Sequence, residues 1–292
     1  MSIVPDEPPP DRPTDRLPPG GWAPLALALL WGLFVWVGVS SAYVVLRGLS
    51  AATTAPSATA PAAGALEPVP PPSPPAGDPD LATLPPRDVA FLATVPHLAA
   101  FIALISVDLL LYGGGLAPLG LGARDSARGL GFGLITGFAV IPLVFGAAIL
   151  TDWVYRAIDY THPDAHDLLR VLRRSGEPVT RILIVAGATV VAPLAEELMF
   201  RGHLQTLLRR MLGGSSTGGG GVSPTASWGA IVIASAMFAA VHPAWTWPPI
   251  FLLSLCLGWL YERTGNLWAP VALHALFNTT STVIFLLWGT PN

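Results

Sequence analysis

The chain has 292 residues, 52% hydrophobic and only 11% charged, with a mean hydropathy of +0.58 and a formal net charge of -3. A soluble domain carries roughly 25% charged residues, so this composition excludes an ordinary soluble globule and implies an integral membrane protein. The negative balance argues against a nucleic-acid partner, and the single Cys256 excludes both a disulfide framework and a Cys-ligated metal site.

Residues 1–21 are rich in Pro, Asp and Arg and too polar to form a packed core, which predicts a disordered tail. Residues 22–46 are apolar and long enough to span a bilayer. The run starts too late and continues too far for a secretory signal, so it is expected to be an uncleaved anchor helix. Residues 47–87 are Ala/Pro-rich; the run Pro70-Pro71-Pro72-Ser73-Pro74-Pro75 favours polyproline II and reads as a low-complexity loop.

Residues 88–292 read as a transmembrane helical domain. A span over about 89–112 contains Asp108, expected near the interface or in a polar contact with the bundle. Another over 130–150 carries Gly131, Gly133, Gly137 and Gly146, small residues that let membrane helices approach closely. His162 and His166 have an i, i+4 spacing that can bind a metal on a helix, but Pro163 and the lack of an adjacent catalytic Glu argue against it. Leu168 to Arg174 suits a short interfacial helix. Further helices are expected from Thr180 past Arg201 to Met211, then over 226–241, 249–261 and 268–288, with a Gly/Ser loop over 213–221. Trp245, Trp247, Trp259, Trp268 and Trp288 fall near span ends, as an interfacial belt would place them. The expected architecture is all-α, a polytopic bundle of about seven spans around an intramembrane polar cavity. The Arg distribution leans towards a cytoplasmic N-terminus, in the cytoplasmic membrane of a bacterium.

Within this apolar setting the sequence places Glu196, Glu197 and Arg201. An ionisable group at membrane depth is costly and marks a functional site. Glu197 and Arg201 are i, i+4 and can pair on one helix face, while Glu196 points about 100° away and stays free for chemistry. The competing reading is a structural pair at a helix end, with Arg201 and His203 in the headgroup region. Three more polar groups sit in apolar helices. His242 lies four residues after Phe238 at the end of one helix, and His274 and Asn278 share a face of another. Turning Glu196, His242, His274 and Asn278 towards one cavity is the economical arrangement.

That set suits hydrolysis. A partly desolvated glutamate can take a proton from water, and a histidine can share that task or protonate a leaving amine. His and Asn can point donors at a developing oxyanion. No Ser or Cys has a neighbouring base, so covalent catalysis is not indicated. One Glu with two His also fits a divalent metal such as zinc, and the residues alone leave the metal-free and metal-bound versions open.

Three segments then resemble the motifs of one family. Glu196-Glu197-Leu198-Met199-Phe200-Arg201 is similar to its Glu-Glu-x-x-x-Arg motif, Phe238 to His242 to its Phe-x-x-x-His motif, and His274 to Asn278 to its His-x-x-x-Asn motif. Tyr261 to Pro270 also looks like the family's last loop. This is the CPBP family of intramembrane proteases, also called the Abi or type II CAAX prenyl endopeptidase family, and the resemblance covers about residues 181–285. It implies a membrane endopeptidase acting on membrane-anchored peptide or protein substrates. Glu196, Glu197, His242, His274 and Asn278 would form the catalytic set. Glu196 would activate water with help from His242, while His274 and Asn278 would stabilise the oxyanion or help hold a metal. Arg201 and Phe238 would give structural support. The alternatives are a non-catalytic membrane scaffold or immunity partner that keeps the fold, and an ion transporter that uses the buried groups as a relay.

Overall fold

The computed structural model describes residues 23–54, 84–113, 115–122, 125–163, 165–213 and 223–288. Among them the secondary structure is helical. The elements are α1 (Ala23–Thr54), α2 (Pro86–Leu111), α3 (Ser126–Ala157), a short α4 (Asp167–Arg174), α5 (Pro178–Gly213), α6 (Pro224–Ala240), α7 (Trp247–Thr264) and α8 (Trp268–Trp288). The tail at 1–21, the proline run at 70–75 and residues 214–221 of the Gly/Ser loop lie outside the described residues. α1 continues past residue 46, so the loop expected over 47–87 starts later than composition suggests. Residues 47–54 contain no proline to interrupt the helix.

Among the described residues, five segments are long and apolar enough to cross a membrane: Ala23–Arg47 of α1, together with α2, α3, α5 and α8. That is fewer than the seven expected. α6 is apolar but has only 17 residues, and the last turn of α7 carries Glu262 and Arg263. Leu27, Phe34, Ile135, Phe138, Ile149 and Leu287 stand exposed on the outer helix faces. Apolar exteriors of this kind suit lipid rather than water. This is an integral membrane protein.

Two close approaches set the frame. On α3, Gly129, Gly133 and Gly137 recur every fourth residue, and a Cβ on any of them would run into Asn266, Ala269 or Leu276 at the start of α8 and along it. Gly131 and Gly146 face open space, so only part of the glycine set brings helices together. On α5, a Cβ at Gly187 would strike Thr94 of α2, whose Oγ1 donates to the Leu183 carbonyl at 3.1 Å. α2 and α5 therefore lie nearly backbone to backbone. The main core joins Leu104, Leu198, Phe200, Phe238, Tyr261 and their neighbours from α2, α5, α6 and α7.

Candidate active site

α5 is not a regular helix. π-helical turns at Gly187–Val191 and Leu198–Gln205 flank a short α segment, Ala192–Glu197, that carries both glutamates. π-bulges are rare and concentrate at functional sites. The first has a visible cause. Pro193 has no N–H to give, and the Ala192 N–H turns back five residues to the Gly187 carbonyl. The Ala188 carbonyl is then left without a main-chain donor, and Asn278 Nδ2 of α8 supplies one at 2.8 Å. Asn278 thus spends one N–H on the backbone of α5, and its remaining groups line the cavity described below.

The two glutamates diverge as their spacing requires. Glu197 is fully buried. Its Oε1 accepts from Arg201 Nη1 at 3.2 Å and from His274 Nδ1 at 2.8 Å. Arg201 is buried too, and its Nη2 donates to the Ser254 hydroxyl at 2.7 Å and to the Ser254 carbonyl at 3.2 Å. Its Cζ lies 4.7 Å from the centre of the Phe238 ring, a cation–π contact. The Arg201 charge is therefore met on three sides, which is the condition for burying a guanidinium. Arg201 and His203 are both buried in the protein core. Phe238 is fully buried, with its ring 4.7 Å from His242 and 5.8 Å from His274.

Glu196 faces a cavity of about 700 Å³ whose walls include His242, His274 and Asn278 as well as many apolar side chains. His274 Nε2 is 3.9 Å from Glu196 Oε2. Because His274 Nδ1 donates to a carboxylate, the neutral ring presents Nε2 as a proton acceptor to that side. His242 sits just past the end of α6, and its Nδ1 donates to the Phe238 carbonyl at 2.7 Å, which likewise leaves Nε2 as the acceptor. No direct hydrogen bond joins His242 to Glu196 among the described residues; the two share the cavity. The turn is braced by Trp247, whose indole donates to the His242 carbonyl at 2.9 Å, while Trp245 stacks on His162 at 5.1 Å. Trp247 thus supports the turn that carries His242, a role the belt reading did not foresee.

Two groups escape the motif reading. His97 of α2 places Nε2 3.3 Å from Glu196 Oε1. It is an ionisable residue inside an apolar span, the signal that singles out Glu196, and it sits just after Pro96. His166 and His162 do not share a helix. His166 instead caps α4, its Nδ1 accepting the Leu168 N–H at 3.3 Å, and it too lines the cavity. Burial lowers the His166 pKa, and nearby His242 lowers it further. Among the described residues, no group of three or more His, Cys, Asp or Glu side chains is spaced to hold a metal ion.

Residues 178–280, from the start of α5 into α8, match the family model Rce1-like, described as type II CAAX prenyl endopeptidase Rce1-like. The chain carries an Rce1-like domain. This is consistent with the CPBP resemblance of the same region. No match was found among curated proteins or among solved structures. All three motif segments lie inside the Rce1-like domain. α1, α2, α3 and α4 lie outside it.

Proposed function

We propose that this protein is an intramembrane endopeptidase that hydrolyses a peptide bond in membrane-anchored substrates by glutamate-activated water. The observation that carries this is the division of labour between adjacent carboxylates. Glu197 is sealed against Arg201 and His274, whereas Glu196 opens onto a cavity shared with His242, His274 and Asn278. Glu196 Oε2 is the base, and the His274 Nε2 acceptor 3.9 Å away suits a water bridging both groups. Water gives its proton to Glu196 as its oxygen attacks the substrate carbonyl carbon. The C–N bond then breaks, and the proton passes to the leaving amine from Glu196 or through His242.

Glu197 orients His274 so that its Nε2 lone pair holds the water, and the remaining Asn278 N–H can donate to the oxyanion. Arg201 and Phe238 hold Glu197 and the two histidine rings in register. In this reading α6 and α7 also cross the bilayer, giving seven spans, and the cavity opens within the cytoplasmic membrane of a bacterium. The apolar majority of the cavity wall, including Trp36, Met199, Phe200 and Ile250, accepts a lipid-like or apolar peptide segment. The test is reconstitution in lipid bilayers with a library of peptides bearing membrane-anchored C-termini. Wild-type protein should release a defined fragment that Glu196→Gln does not, and equal cleavage by the two would refute the assignment.

A further inference from the structure

His97 uses its ring in an unusual way. It lies on α2, outside the segment 178–280, and is half-buried. Nε2 faces Glu196 Oε1 at 3.3 Å, an ion-pair separation slightly longer than an ordinary N–H···O hydrogen bond, and Nδ1 is buried with no hydrogen-bond partner. Buried polar atoms are nearly always satisfied, and exceptions call for a reason. A neutral ring with its proton on Nε2 leaves only a lone pair unmet, whereas an imidazolium would bury an unmet N–H. The favoured state therefore donates Nε2–H to Glu196.

Its surroundings fix the ring in that position. Trp36 of α1 packs against it with ring centres 5.4 Å apart. One turn before it on α2, Thr94 is bonded to the Leu183 carbonyl across the cleft that Gly187 leaves open. Three turns after it, Asp108 is bonded to His203 at 3.0 Å. His97 is thus held over Glu196 by α2–α5 contacts on both sides.

We infer that His97 is a positioning residue for Glu196: it occupies Oε1, holds the carboxylate ionised, and leaves Oε2 as the oxygen that takes the proton. The candidate active site is then completed by two helices outside the Rce1-like domain, with α2 supplying the donor and α1 its backing. The other charged or titratable groups around Glu196 are His274 from α8, His242 beyond α6, His166 at the head of α4, and Glu197 and Arg201 on α5 itself. None of them contacts Oε1 as His97 does.

The kinetic arm of the test rests on the hydrolytic reading; a spectroscopic arm does not. Full-length protein in lipid bilayers would be compared with His97→Gln, which keeps an N–H donor, and His97→Phe, which keeps the ring but not the donor. The infrared band of the Glu196 carboxylate, identified by subtracting Glu196→Gln, would be titrated without substrate. His97→Phe should move its midpoint up by about one to two pH units, the worth of one hydrogen bond to a charged group, with His97→Gln restoring much of the shift. The acid limb of kcat/KM should move the same way, with kcat falling and KM little changed. A titration in His97→Phe that overlays the wild type would show that the ring only packs, and would overturn the proposal. If His97→Phe fails to fold, His97→Gln set against His97→Ala decides by the same midpoint. Absence of hydrolysis in the wild type would remove the peptidase reading while leaving the infrared result to judge His97.

Discussion

α2 and α5 are joined by two carboxylate–histidine pairs of opposite polarity. In one, His97 of α2 meets Glu196 of α5 at 3.3 Å, with side chains 14% and 17% exposed to a cavity. In the other, Asp108 of α2 meets His203 of α5 at 3.0 Å with both side chains at 0%. The same two residue types span the same pair of helices, yet only the first lines the cavity. His203 also donates Nδ1 to the Leu198 carbonyl inside the second π turn, so the sealed pair fixes the backbone that follows the glutamates. Access, rather than residue chemistry, separates the pair proposed to turn over from the one that holds the helices together.

The largest effect expected of the sealed pair is on stability. Asp108→Leu leaves His203 facing apolar surroundings and should cost about 3–5 kcal/mol, read as loss of folded protein in a denaturant titration in micelles. The double variant Asp108→Leu/His203→Leu should recover much of that loss, because replacing both partners of a buried pair is far milder than removing one. A double variant no better than the single would mean that His203 holds the π turn through Leu198 alone.

Asn278→Leu comes next. It strips the donor from the Ala188 carbonyl that Pro193 cannot serve, and should cost about 1–3 kcal/mol. Pro193→Ala in that background restores a main-chain N–H and should return part of the stability by letting the bulge close to a regular turn. If Asn278→Leu is neutral by thermal denaturation, the side chain is not needed at the bulge.

The smallest effect concerns α4, which lies against the cavity. His166 Nδ1 must be unprotonated to cap the helix, and burial lowers the pKa of the folded-state ring. The unfolded chain binds this proton first, so stability from this cap is complete above the ordinary histidine value and declines as pH falls towards the lowered one. The protection factor of the Leu168 amide, referred to the intrinsic exchange rate at each pH, should fall on acidification, by no more than about 1 kcal/mol of local stability. His166→Asn, a cap that does not titrate, should abolish the pH dependence; if the dependence persists, another group is responsible.

The sequence makes the helical class legible because its apolar runs are long and its breaks are rich in Pro and Gly. It also separates Glu196 from Glu197, since helical rotation fixes that divergence whatever the fold. The partners of these groups could not be read in the same way. The Asn278–Ala188 bond depends on a π-bulge, which shifts the hydrogen-bond register without changing the apolar pattern. The pairing of His97 with Glu196 spans 99 residues and has no local signature beyond an ionisable residue in an apolar run. The same rule pointed to Asp108, where it marks a structural pair. An intramembrane charge announces a partner, and only the cavity shows which partner faces a substrate.

The most direct measurement is turnover by Glu196→Gln and Asp108→Asn side by side, in bilayers and normalised to folded protein, on a membrane-anchored peptide that the wild type cleaves. Glu196→Gln should melt like the wild type and lose about 10²–10⁴-fold in kcat. Asp108→Asn should melt lower and turn over at nearly the wild-type rate per folded molecule. Full activity in Glu196→Gln, or an equal loss in both variants, would contradict the assignment of chemistry to the open pair and structure to the sealed one.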